Sequence, residues 1–189
     1  MVTIIKRVRE FGSKALIASP EFREYVEKQE TEINRGISSL CILSIITEAD
    51  NKQLAVDKQL HGYNILKELN NKTRKMLVIE EGTLYPILRK LEGDGIIKSE
   101  KEETGRKRKF YFMTPYGRKV FNHLAGFYSK LTEAIGPLFD VKVDLRKDRY
   151  IYCPECANKI EIDRVDINFC EICGHPIQEL RERGLKKNE

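Results

Sequence analysis

Four cysteines near the end of the chain, Cys153, Cys156, Cys170 and Cys173, stand as C-x2-C-x13-C-x2-C. That spacing lets two short loops bring four thiolates around one zinc ion in a tetrahedron. Four thiolates leave no coordination position for water or substrate, so the ion, one per chain, is expected to be structural, and the activity has to be sought elsewhere. Pro154 and Gly174 suit the tight turns of such a site, whereas Ala157 stands where a second glycine would be easier. Disulfides and a single iron in the same cage are the alternatives. Disulfides are disfavoured because nothing at the N-terminus marks the chain for an oxidising compartment. His175 follows a complete ligand set and is expected outside it. Cys41, among Ile37, Leu40, Ile42, Leu43 and Ile45, reads as a small buried hydrophobe.

With 189 residues, 41% hydrophobic and 33% charged, the chain has material for one modest domain and a small second one. No stretch approaches a membrane span, and the first residues lack the apolar core of a secretory signal, so the expected location is cytoplasmic. From Cys153 onward there are six Lys/Arg against eight Asp/Glu, which leaves twenty-eight against twenty-one, or +7, in residues 1–152. The densest cationic run is Arg106-Lys107-Arg108-Lys109, ahead of Phe110-Tyr111-Phe112. An enzyme is disfavoured, because His61, His123 and His175 are scattered, no glycine-rich phosphate loop occurs, and the metal site is closed.

Residues 37–49 read as a mostly apolar helix, and His61-Gly62-Tyr63-Asn64 opens a second with Ile65, Leu66 and Leu69 as its stripe. In a third, Leu84, Ile87, Leu88 and Leu91 fall at i, i+3, i+4 and i+7 and form one buried face. Pro86 is expected in its first turn, Thr83 as its cap, and Gly93 with Gly95 at its end. The opposite face then carries Tyr85, Arg89 and Lys90. Two β-prone runs around a basic tip, residues 96–114, form a hairpin. Three helices and such a hairpin make a winged helix-turn-helix, in which the third helix enters the major groove and the wing meets the backbone.

These residues resemble the PadR-like transcriptional regulators over roughly residues 37–120, through Gly82-Thr83-Leu84-Tyr85-Pro86, the Leu91-Glu92-x-x-Gly95-Ile96-Ile97 run, and Arg108-Lys109-Phe110-Tyr111 leading to Thr114-Pro115-x-Gly117. The resemblance implies a dimeric DNA-binding regulator, usually a repressor. Thr83, Tyr85, Pro86, Arg89 and Lys90 would fall on its recognition helix, with Tyr63 beside it, and Arg106, Lys107 and Arg108 on its wing. Tyr63 and Tyr85 have a blander reading as packing between helices two and three, and Arg89 as a solvated helix residue.

After the wing, Val120, Leu124, Phe127, Leu131, Ala134 and Leu138 recur in steps of four and three, a heptad seam that Gly136-Pro137 kinks or ends. In the family this helix makes the dimer; a stripe docking on its own domain is the other reading. The N-terminal residues Ile4, Val8, Phe11 and Ala15, then Phe22, Tyr25, Val26 and Ile33 after Ser19-Pro20-Glu21, are expected to pack with that helix within or between subunits.

The expected architecture is mainly α (α+β). It comprises an N-terminal helical extension (1–34), a winged helix (35–114), a dimerisation helix (115–140), a linker (141–149), a zinc ribbon (150–178) and a tail (179–189). Between Cys153 and Gln178, Lys159 and Arg164 face Glu155, Glu161, Asp163, Asp166 and Glu171, a side-chain net of −3, and four thiolates around a dication add two more negatives. Such a ribbon repels phosphate, so its expected partner is protein. The leading alternative is a winged-helix and zinc-ribbon interaction factor of the transcription machinery. No tryptophan or pocket signature identifies a small-molecule effector.

Overall fold

The computed structural model describes residues 20–51, 60–101, 108–145, 149–164 and 166–185. The chain divides into two compact units between Thr114 and Pro115. The expectations for Ile4, Val8, Phe11 and Ala15, and for Arg106 and Lys107 at the wing tip, fall outside the described residues.

The first unit begins with α1, Pro20–Asn51, one unbroken 32-residue helix where two were expected. Its first half is rich in Glu, Lys, Arg and Gln, strong helix formers. Gly36 costs about 1 kcal/mol relative to Ala, too little to break a helix anchored by its apolar second half. There Ile42, Leu43, Ile45 and Ile46 are buried, whereas Phe22, Tyr25 and Ile33 on the first half are exposed in the single chain. Helix α2, Gly62–Lys72, buries Ile65, Leu66 and Leu69. Beyond it the left-handed residues Arg74 and Lys75, φ 52° and 62°, turn the chain sharply toward the buried Leu77 and Ile79.

Helix α3 runs Glu81–Gly93 and starts two residues earlier than expected. Glu80 is its cap position and Glu81 its first residue, so acidic side chains meet the positive end of the helix dipole. Thr83 therefore lies inside the helix, and Pro86 in its second turn rather than its first. The cost is one missing bond to the carbonyl of Gly82, which is exposed and free to be hydrated. Leu84 and Leu88 are fully buried, with Ile87 and Leu91 half-buried. Gly95, φ 69°, closes the helix, with the Ile96 N–H donating to the Leu91 carbonyl at 2.9 Å.

The wing consists of β1, Ile97–Lys101, and β2, Lys109–Met113, antiparallel with Ile97 opposite Met113 and Lys101 opposite Lys109. The Tyr111 N–H donates to the Leu60 carbonyl at 3.1 Å and the Met113 N–H to the Asp50 carboxylate at 2.9 Å. These bonds tie the wing to the start of α2 and the end of α1. Three helices and a two-stranded wing thus form a winged helix around one core.

The second unit opens with α4, Pro115–Ile135, followed by a 3₁₀ turn, Gly136–Phe139. Leu138 therefore lies past the end of α4, on that turn, and not on the helical seam. Leu124, Phe127, Leu131 and Ile135 are exposed along α4, and Val120 is half-buried. The four-cysteine module follows, with β3, Tyr150–Tyr152, paired antiparallel to β4, Lys159–Glu161. Helix α5, Gln178–Leu185, begins on the last residue expected in the ribbon and runs through residues expected to be a tail. There Leu180 packs on the core of Ile151, Ile160, Ile162 and Ile177, and Arg181 is buried with its guanidinium donating to the Ile167 carbonyl. Helix α4 packs directly against β4.

Leu88→Ala should cost the first unit about 2–5 kcal/mol, because a fully buried leucine leaves a cavity when cut back; thermal unfolding measures it. Ala157 holds φ 59°, a strained angle for a side chain with a Cβ. Ala157→Gly should therefore stabilise the second unit by about 0.5–1 kcal/mol, strain relief exceeding the glycine's extra chain entropy.

Candidate nucleic-acid interface and metal centre

Because Leu84 and Leu88 are turned inward, the outer face of α3 presents Thr83, Tyr85, Pro86, Arg89 and Lys90, all exposed. Tyr85 lies across the first residue of α2: a Cβ on Gly62 would stand 2.8 Å from its hydroxyl oxygen. Glycine at 62 is thus what allows α3 to bring this ring over the α2 N-terminus. Tyr63, 61% exposed, points outward nearby. Neither tyrosine is packed away, although Tyr85 does use part of its ring as contact.

A cleft of about 510 Å³ opens between these elements, lined by His61, Gly62, Tyr63, Asn64, Tyr85, Arg108, Lys109 and Tyr111. It brings together the amino end of α2, Tyr85 of α3 and the tip-side half of β2. The α2 amides at this rim carry the positive end of a helix dipole, an arrangement suited to a phosphate. Arg108 is exposed there. Lys109 reaches Glu92 at 3.5 Å, and the Ser99 hydroxyl also donates to Glu92. That hydrogen bond, followed by the two attractions to Lys109, holds the Glu92 carboxyl below its usual range against the opposing effect of burial. Burial raises the Tyr111 hydroxyl, helped by the negative Glu92, so it stays protonated and able to donate. His61, Asn64, Lys109 and Tyr111 are the cleft residues that sequence reasoning did not single out; only the basic run and the His61-Gly62-Tyr63-Asn64 helix start hinted at them.

In the second unit, Cys153, Cys156, Cys170 and Cys173 have their sulfurs within 4.8 Å of one another. Cys153 Sγ and Cys173 Sγ are 3.5 Å apart, as are Cys156 Sγ and Cys170 Sγ. A tetrahedron with metal–sulfur arms of about 2.3 Å requires edges of about 3.8 Å, so the donor set fits one ion. The two cysteine loops repeat each other. The Ala157 N–H donates to the Cys153 carbonyl and the Gly174 N–H to that of Cys170, each at 2.9 Å. The Cys153 N–H donates to the Asn158 carbonyl at 3.0 Å and the Cys170 N–H to that of His175 at 2.8 Å. Ala157 and Gly174 occupy the equivalent left-handed positions, φ 59° and 75°.

Burial pushes the Cys156 thiol up to about 12, only partly offset by the Asn158 N–H, and raises Cys153 as well. At Cys170 burial is outweighed by the N–H groups of Cys173 and Ile172, which bring it down to about 7. These thiols differ in how readily they ionise, and a dication that takes all four as thiolates displaces their protons together. His175 stands aside, 4.0 Å from the Glu155 carboxylate. Among the described residues, no helix is long and apolar enough to cross a membrane.

A profile described as the Transcriptional regulator PadR-like family matches residues 53–123, ending short of the first cysteine ligand candidate. A transcriptional regulator of Mycobacterium tuberculosis is 42% identical over 65 residues, 34% of this chain and 58% of that protein. Among solved structures, a PadR family transcriptional regulator from Eggerthella lenta is 27% identical, with a TM-score of 0.52, over 65% of this chain and 98% of its own. A transcriptional regulator from Clostridium thermocellum is 30% identical, with a TM-score of 0.48, over 56% of this chain and 96% of its own. The winged helix, its exposed third helix, the profile and the sequence likenesses to known regulators agree: the chain belongs to the PadR-like family of transcriptional regulators.

Proposed function

We propose that the protein is a cytoplasmic homodimeric repressor that binds a specific double-stranded DNA site through α3 and the wing, and carries one structural zinc ion in its C-terminal module. The observation that carries this reading is a cleft that joins Tyr85 on the exposed face of α3 to the basic, tip-side end of β2 and the amino end of α2. In a docked complex Tyr85, Arg89 and Lys90 reach base edges or the phosphates flanking the major groove, with Thr83 and Pro86 at the entering end. Arg108, continued by Arg106 and Lys107, meets the neighbouring backbone. Phosphate contacts provide affinity, and only base-edge contacts provide sequence preference.

The dimer is assigned to the exposed apolar row on α4, Leu124, Phe127 and Leu131, extended by Val120 and by Leu138 on the following turn. Such a row is costly to leave in water and pairs well with a copy of itself. The module's acidic surface keeps it off DNA and leaves it for protein contacts. Four thiolates supply a closed site, in which zinc is a folding element rather than a reaction centre.

Arg89→Ala should weaken operator binding by about 1–3 kcal/mol and relax its sequence preference if it contacts a base, whereas Arg108→Ala should weaken all DNA alike and flatten the salt dependence by about one ion. Fluorescence anisotropy with operator and scrambled duplexes at several salt concentrations measures both. Leu131→Glu should convert the dimer to a monomer in sedimentation by placing a charge in the interface. Metal analysis should give about one zinc per chain, and Cys170→Ser should unfold the module while α1–α3 keep their cooperative melting. A zinc-free protein with a disulfide in that place would remove the metal from the account.

A further inference from the structure

Gly126 lies in the middle of α4 and is buried. A Cβ placed there would stand 2.0 Å from the Ala157 carbonyl oxygen and 2.6 Å from the Lys159 nitrogen. Both neighbours are backbone atoms, so no side-chain movement could make room. They belong to the segment that leaves the first cysteine loop, directly after the ligand candidates Cys153 and Cys156. Its course is set by the left-handed Ala157, whose N–H is bonded to the Cys153 carbonyl at 2.9 Å. The contact with α4 is thus made by the main chain of the metal loop itself.

Beside this contact a cavity of about 650 Å³ is bounded by Phe127, Lys130 and Leu131 of α4 and by Pro154 and Cys156 of the loop, among others. Phe127 and Leu131 belong to the apolar row assigned above to self-association. The loop therefore reaches the flank of that row without covering it: Phe127 remains 53% and Leu131 42% exposed.

We infer that metal binding and the ordering of α4 are coupled through the Gly126–Ala157 contact, so that the protein's assembly responds to the metal. An ion held by the four cysteines would fix the first loop in the shape that seats on Gly126. When the ion leaves, that shape is no longer enforced and α4 loses its support. The coupling is reciprocal, so a dimer that holds α4 in place must also hold the metal more tightly. The consequence for assembly rests on the dimeric reading above; the ordering of α4 does not.

Full-length wild type, Gly126→Ala and Gly126→Leu would be compared with zinc bound and after removal by a chelator. Hydrogen exchange would be read across α4, alongside self-association in sedimentation and zinc content. In wild type, zinc removal should speed exchange in α4 by about tenfold and weaken self-association by about tenfold, leaving α2 and α3 unchanged. Gly126→Leu should reproduce both effects while still holding its zinc, and chelation should then add nothing; Gly126→Ala should fall between. If Gly126→Leu fails to fold, wild type against Gly126→Ala decides. Exchange in α4 that ignores zinc in wild type, or a full zinc response that survives in Gly126→Leu, overturns the inference. A wild type that is monomeric throughout, yet whose α4 exchange follows zinc, would sustain the coupling and refute the dimer.

Discussion

Burial of Leu84 and Leu88 sets the rotation of α3, and what this winged helix can present to a partner follows from that rotation. Each buried leucine contributes about 1.5–3 kcal/mol, so a turn of the helix that exposed both would cost more than any surface contact could return. With these two positions held inside, Tyr85, Arg89 and Lys90 have no place but the outer face. Gly62 then lets Tyr85 lie over the start of α2, where that helix end and the tip-side half of β2 line the same opening. Apolar packing here decides where polar recognition can occur.

The second unit obeys a different constraint. Its core is a few isoleucines with two of the cysteines, small for a fold that stands alone, and an ion held by the four cysteines, as proposed above, would provide what the core lacks. Its side chains oppose phosphate, while its first cysteine loop is seated on α4. The first unit thus carries the basic wing, and the second an acidic four-cysteine module whose first loop seats on α4, the helix that carries the exposed apolar row.

Much of this was legible from residue order. Periodicity identified the inner face of α3, local residue signals the start of α2 and the end of α4, and cysteine spacing the cluster, because each depends on neighbours close in sequence. The single α1 was missed because a composition change at residue 36 resembles a boundary, whereas good helix formers on both sides carry the helix through it. The start of α3 differs from the expectation because a proline does not require the first turn: the exposed Gly82 carbonyl allows it in the second. Leu138 kept the heptad spacing past Gly136-Pro137, where periodicity continues in the letters after the helix has ended. Helix α5 carries a buried Arg181 among mostly polar residues and gives little apolar signal. Gly126 and Ala157 touch across about thirty residues, a contact that no local pattern announces.

The central claim is that one face, built from α3 and the wing, binds a specific DNA site. It is tested most directly by selecting bound fragments from genomic DNA with the full-length protein and measuring the salt dependence of binding to the recovered sequence. The account predicts a recurrent, two-fold related sequence, bound at least about a thousandfold more tightly than scrambled DNA and weakening steeply as salt rises. Recovery of no common sequence, with affinity indifferent to salt, would contradict it.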